Sequence, residues 1–420
     1  MYSSSGKINK SLLYFITFIF VLTGCQSEPD KLKGRTIFKI SEKNQNLIYK
    51  FKAPFEIKVR EVETNRKVDI ADSVSKPLKL SEIFDQERFR LVKLESVEGA
   101  FLREVSKIIL NQLGIFILDA KITKQIVWFN HNGGFIRNFS FSNIKMKSPE
   151  DFDVKDGILS IIDQESQLFT FKLFAGQAKQ FKQFKLPFVA SSIKIVDTAT
   201  ILCFNKSYDF QPFSFLTINI NDLSITGSAI PIKHESMTKF IERFPIKSAS
   251  SNNEIICGVP NYDTIYKVKN GTISPFLVFN FGKYAIPANA YEKAEDFKKF
   301  GYKARSRRSD YSFETSKYFT ASFSNYLINW VVFNKKNQTC IFYKSLGDDL
   351  SGGIFNKFPI AAYDDSLIQI GSSEILLKIA SVLNKMKNKN SFQTELTKFA
   401  AATKERDNPL LLLYVPKDIK

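Results

Sequence analysis

The feature that most constrains this chain is a fourfold repetition of short β-type runs beginning near residue 105. In the first unit VSKIIL (105–110) and IFIL (115–118) flank the turn NQLG. A loop from Asp119 leads to QIVWF (125–129), and Asn132-Gly133 leads to FIRNFSF (135–141). The next three units keep that order. Their first hairpins are FDVK/ILSII around Asp156-Gly157, SIKIV/ILCF around DTAT, and IKSAS/IICGV around SNNE. The turns begin near residues 111, 155, 197 and 251, a spacing of 42 to 54 residues. Asn-Gly and Asp-Gly suit tight hairpins because both positions reach φ > 0 at low cost. Four antiparallel strands per unit at this period predict an all-β fold, a β-propeller.

Two further units bring the blade count to six. YFTASF (318–323), LINWVVF (327–333) and TCIFYK (339–344) supply most of a fifth, after a long connection spanning 284–315. KFPIAAY (357–363) and SLIQI (366–370) begin a sixth, which SEILLKIASVLNKMKN (373–388), apolar at helical spacing, interrupts before LLLLYV (410–415). That blade lacks one strand, and FRLVKLE (89–95), upstream of the first unit, supplies it. Such a latch removes exposed sheet edges.

The start of the chain reads as an address. Lys7 and Lys10 precede an uncharged apolar run, Ser11 to Leu22, too short to span a bilayer comfortably. Leu22-Thr23-Gly24-Cys25 then matches the bacterial lipobox, in which the cysteine thiol is linked to diacylglycerol. Several acyl chains anchor durably where one binds marginally. Residues 1–24 are therefore expected to be a lipoprotein signal peptide, 25–34 a lipidated tether, 35–77 an N-terminal β extension and 78–420 the propeller. Gln26, rather than Asp, follows the cysteine and points to the outer membrane.

The formal charge of +18 comes from lysines dispersed along strands and turns. With an extracytoplasmic address this argues against nucleic acid as the partner, and favours a solvated basic exterior. Cys203, Cys257 and Cys340 lie in apolar runs and read as buried strand residues. The only histidines, His131 and His234, lack metal-ligand spacing, and no nucleophile–His–acid set is present.

The order of these pieces resembles the uncharacterised six-bladed β-propeller lipoproteins, relatives of NHL- and TolB-like propellers. The resemblance rests on the lipobox, the opening segment LKLSEIFDQERFRLVKLE (78–95) and IFILDAKITKQIVWFNHNGGFIRNF (115–139). SPEDFDV (148–154), GDDLSGGIF (347–355) and DNPLLLLYVPK (407–417) complete it. It implies architecture and location rather than chemistry.

In a propeller the loops between second and third strands share one face with the blade-to-blade connections. Those loops carry Asp119, Asp163, Tyr208, Asp209, Tyr262 and Asp263, and the larger connections make that mouth the expected site. One acid per unit is compatible with a calcium site and with plain turn capping. KARSRR (303–308) is the densest basic cluster, and Arg305, Arg307 and Arg308 could fork onto carboxylates, sulfates or phosphates. Two function classes stay open, with a polyanion-binding surface protein as a third. One is a membrane-anchored binding or scaffold module for a glycan, peptide or envelope protein, without a cofactor. The other is a metal-dependent extracytoplasmic hydrolase or lyase acting at the channel mouth, with Ca²⁺ the possible metal.

Replacement of the lipobox cysteine, Cys25→Ala, is expected to leave an uncleaved or mislocalised precursor. Membrane fractionation with mass spectrometry checks this, and normal fractionation at unchanged mass would contradict the lipobox.

Overall fold

The computed structural model describes residues 67–69, 76–140, 144–206, 213–232, 246–248, 254–259, 263–269, 272–281, 306–325, 327–336, 340–351, 353–355 and 359–417. The N-terminal run supplies β1 (Lys67–Asp69), β2 (Lys76–Lys79), the short helix α1 (Leu80–Ile83) and β3 (Phe84–Lys93). Blade 1 is β4 (Lys107–Asn111), β5 (Gly114–Asp119), β6 (Gln125–Phe129) and β7 (Phe135–Phe139). Blade 2 is β8 (Pro149–Lys155), β9 (Ile158–Asp163), β10 (Gln167–Phe174) and β11 (Gln177–Lys185). Blade 3 is β12 (Ala190–Ile195), β13 (Thr200–Asn205), β14 (Phe213–Asn219) and β15 (Ile225–Pro231).

Blade 4 is β16 (Ile246–Ser248), β17 (Ile255–Cys257), β18 (Thr264–Lys269) and β19 (Thr272–Asn280). Blade 5 is β20 (Ser306–Glu314), β21 (Tyr318–Asn325), β22 (Leu327–Asn334) and β23 (Cys340–Gly347). Blade 6 holds β24 (Ala361–Tyr363), β25 (Ser366–Gly371) and β26 (Leu410–Pro416). Between β25 and β26 lie the helices α2 (Ser373–Lys385) and α3 (Ser391–Ala401). The six sheets form a six-bladed β-propeller with the expected helical insertion in its last blade.

Burial on both faces explains why the strands read as continuous apolar runs. Every residue of β5 is buried. Ile115 and Ile117 pack toward blade 6, whereas Phe116 and Leu118 pack toward blade 2. Among the described residues one apolar cluster fills each of the six blade-to-blade interfaces. Cys203 and Cys257 lie buried inside two of them, and burial pushes the Cys203 thiol up.

The ring closes with β3, which pairs antiparallel with β26 as the outer strand of blade 6, from Leu410↔Lys93 to Tyr414↔Phe89. The buried Asn408 fastens this junction. Its Nδ2 donates to the carbonyls of Glu95 at 2.7 Å and Ala100 at 2.8 Å, and its Oδ1 accepts from Leu102 N at 2.8 Å. Lys93 adds an ion pair to Asp407 at 2.9 Å.

β1 and β2 do not pair with each other. Each adds a fifth, parallel strand to an outer edge, β1 on β19 and β2 on β23. These additions cover two edges that would otherwise stay open. The long connection 284–315 ends earlier than its charges implied, because Ser306–Glu314 forms β20, the inner strand of blade 5. Its run SRRSDYSFE lacks apolar alternation, so the strand was hidden, and a register shift falls between Arg308 and Phe313.

Gly133 marks the tightest approach at the closure. Its φ is +89°, and a Cβ there would lie 2.0 Å from the Lys93 carbonyl oxygen. Gly157, in the Asp156-Gly157 turn with φ +73°, has room, its nearest contact being 3.5 Å away. Gly133→Ala is expected to cost about 3 kcal/mol or more through backbone overlap at the ring seam, and Gly157→Ala about 1 kcal/mol. Denaturant melts of the two variants check this, and equal losses would contradict the seam.

Candidate ligand cavity on the propeller axis

The inner strands of blades 1 to 3 carry charged and polar side chains at buried positions. Asp151 and Asp153 alternate along β8 and reach both neighbouring blades. Lys107, from β4, donates to Asp151 Oδ1 at 2.6 Å and to the Phe152 carbonyl at 2.7 Å. Asp151 Oδ2 accepts from Ser192 Oγ at 2.7 Å and Ile193 N at 2.9 Å, both on β12. Asp153 pairs with Lys194 Nζ and accepts from Ile195 N at 2.8 Å. Lys155 donates to the Val196 carbonyl at 2.6 Å. The side chains of Lys107, Asp151, Asp153 and Lys194 are all buried. Burial pulls the Lys107 ammonium below its ordinary pKa, with Asp151 opposing. Inner strands share no backbone ladder, so these bonds join blades 1, 2 and 3 around the axis.

Beside this network lies a cavity of about 510 Å³ to which all six blades contribute. It runs along the inner strands to the turns after them, including Asn111–Leu113, Asp156-Gly157 and Tyr363-Asp364. Lys107, Lys155, Lys194 and Asp153 line its wall beside apolar residues such as Val154, Ile195 and Phe313. Asp156 and Asp364 sit exposed on the turns with φ of 49° and 48°, a conformation Asp tolerates well. No ion pair to either carboxylate occurs among the described residues. Burial, and then Asp364, raise the Tyr363 phenol. His131 approaches the Asn111–Leu113 turn, with Nε2 2.8 Å from the Asn111 carbonyl oxygen.

The residues expected from sequence are placed differently. Asp119, Asp163 and Asp263 lie in loops between second and third strands, at the other ends of their blades from these turns, and none lines the cavity. Asp119 Oδ2 accepts from Arg103 N at 2.8 Å and Glu104 N at 3.0 Å, and Oδ1 from Ile122 N at 3.0 Å. Asp163 Oδ1 accepts from Glu165 N and Gln167 N, each at 2.9 Å. Exposed Asp263 accepts from Thr264 Oγ1 at 2.9 Å. Asp163 and Asp263 engage their own loops as turn-capping carboxylates do, and Asp119 also ties its loop to the segment before β4. Arg307 and Arg308 lie on β20, opposite Phe323 and Ser322. Cys25, Tyr208, Asp209, Tyr262 and Arg305 fall outside the described residues. Among the described residues no three His, Cys, Asp or Glu side chains form a group that could hold a metal.

The cavity residues left a trace in the sequence. Polar side chains recur at alternate positions in the first strand of the repeats, as Asp151, Asp153 and Lys155, and as Ser192 and Lys194. Attention to loop size pointed instead to the opposite face.

The two capping carboxylates differ in sign. Burial pushes Asp119 up, but the amides of Glu104, Ile122 and Arg103 outweigh it and hold the group below its ordinary value. Burial dominates at Asp163 and holds it above, against the amides of Gln167 and Glu165. The stability from Asp119 is fully present above the unfolded pKa, about 3.9, and is lost as pH falls through the folded value. The contribution of Asp163 is present below the unfolded pKa and lost as pH rises through the folded one. Asp119→Asn is expected to lower Tm near neutrality and flatten the acid limb, and Asp163→Asn to hold or raise Tm near neutrality. Thermal melts across pH check both, and equal losses near neutrality would contradict the assignment.

The fold has a solved counterpart. A Bacteroides fragilis protein described as a candidate exported protein aligns with TM-score 0.62 and 16% identity, over 84% of this chain and 100% of its own. A DUF4221 family member from Bacteroides vulgatus aligns with TM-score 0.43 and 10% identity, over 79% of this chain and 99% of its own. No curated protein matches the sequence. The model of a domain of unknown function, DUF4934, matches residues 65–415, and the chain belongs to that family.

Proposed function

We propose that this chain is an extracytoplasmic binding module, held by lipid on Cys25 to the cell envelope at the outer membrane, whose axial cavity seats a short polypeptide segment. The observation that carries this reading is the cavity itself. Its volume, about 510 Å³, falls in the range of ligand sites. Its wall combines Lys155, the paired Lys194 and Asp153, the exposed rim carboxylates Asp156 and Asp364, and apolar residues such as Val154 and Ile195. A polypeptide presents both charge signs and apolar side chains together. A neutral glycan would instead need broad aromatic platforms, and among the lining residues only Phe313 and Tyr363 are aromatic. The lipobox supports the envelope address, as does the shared fold of a candidate exported protein.

The double substitution Asp156→Asn with Asp364→Asn keeps residues that tolerate φ > 0 while removing both rim charges. It is expected to weaken binding of cation-bearing peptides about fivefold or more, equivalent to ~1 kcal/mol, at unchanged Tm. Peptide and glycan arrays probed with both proteins check this. Peptide binding that ignores the substitution, or selection of neutral glycans alone, would contradict the reading.

A further inference from the structure

The helix α2 presents two apolar stripes, and the propeller uses one. Leu376 and Leu383 are buried against blades 5 and 6, in a cluster with Phe84, Trp330, Phe392 and Tyr414. Ile375, Ile379, Val382 and Met386 recur at spacings of four, three and four, so they share a second stripe. Along it Ile375 is 37%, Val382 58% and Met386 40% exposed, whereas Ile379 is partly buried. Exposed apolar side chains aligned in this way mark a contact surface more often than scattered ones do.

The charges around the stripe identify what it fits. Lys378 and Lys385 flank it on one side, and Lys387 and Lys389 follow in the turn beyond the helix. Lys378 spends its charge partly on Glu374, at 2.8 Å. Among the described residues no carboxylate pairs with Lys385, Lys387 or Lys389. An apolar stripe bordered by lysines is complementary to a lipid surface with anionic headgroups. There the apolar side chains enter the acyl boundary and the ammoniums stay at headgroup level. A protein partner would need an acidic rim around an apolar groove, whereas an anionic bilayer offers both as one surface.

We propose that α2 docks on an anionic lipid surface through Ile375, Val382 and Met386, with Lys385, Lys387 and Lys389 engaging headgroup phosphates. The docking rests on the anchored reading only for the nearness of a membrane. It adds a second attachment, which fixes the orientation of the propeller on that surface.

The test uses the full chain carrying Val382→Cys labelled with an environment-sensitive fluorophore, mixed with vesicles of phosphatidylcholine alone or with phosphatidylglycerol. A label at Ile122→Cys, where Ile122 is 59% exposed on a blade 1 loop, serves as reference. The Val382 label is expected to shift to the blue and be quenched by brominated acyl chains in anionic vesicles. The reference label should not respond. Charge reversal at Lys385, Lys387 and Lys389 together, or added salt, should reduce the quenching severalfold. Equal burial in neutral vesicles would overturn the headgroup contact. A label exposed in both vesicle types would overturn the docking. A label already shielded before vesicles are added would show that the chain covers its own stripe, and would overturn it too. Mass spectrometry of Cys25 on the same sample reports the anchor separately, so failure of the anchor and failure of the docking are told apart.

Discussion

Pairing of β3 with β26 is the interaction on which the propeller depends. Each blade is a sheet whose two faces rest on its neighbours, so no blade buries its apolar residues alone. Five interfaces follow from chain order, but the one between blade 6 and blade 1 must be made by segments more than two hundred residues apart. That distance carries a loop-closure cost, which the seam must offset. It does so with a backbone ladder, the apolar cluster around Val92, Leu411 and Leu413, and the buried amide of Asn408. Beyond the seam, β1 and β2 continue the same segment along the outer edges of blades 4 and 5.

Closure has a consequence at the axis. Six inner strands converge there without sharing a ladder, and side chains must join them. Lys107, Asp151, Asp153 and Lys194 do this for three blades, each charge facing an opposite charge or a backbone donor. Such buried pairs add little net stability, because desolvation offsets attraction, yet losing one partner is costly, roughly 3–5 kcal/mol. Their effect is to fix the spacing of β4, β8 and β12. The cavity wall is built on those strands, so its shape is set by the ring rather than by loops.

Much of the architecture was legible in the sequence for one physical reason. Strands buried on both faces, such as Gly114–Asp119 and Ile158–Asp163, become unbroken apolar runs, and turns such as Asp156-Gly157 punctuate them. The latch was legible too, since the last blade lacked a strand and FRLVKLE stood unused upstream. Where the rule fails, so did the reading. Ser306–Glu314 is an inner strand written in charged and polar residues, and it passed for a connection. The cavity was missed for a related reason. The cavity lies among short turns, and its signal was the alternating charge of SPEDFDVK. The aspartates of the opposite loops are real features with a local purpose, satisfying backbone amides.

Hydrogen exchange in the native state tests most directly whether the N-terminal strand is integral to the ring. If β3 closes the structure, amides of β3 and β26 open only with those of the inner strands β8 and β12. All four sets should then show one opening free energy and one denaturant dependence. Amides of β3 that exchange early and independently, while β8 and β12 keep full protection, would contradict closure and reduce β3 to a surface addition.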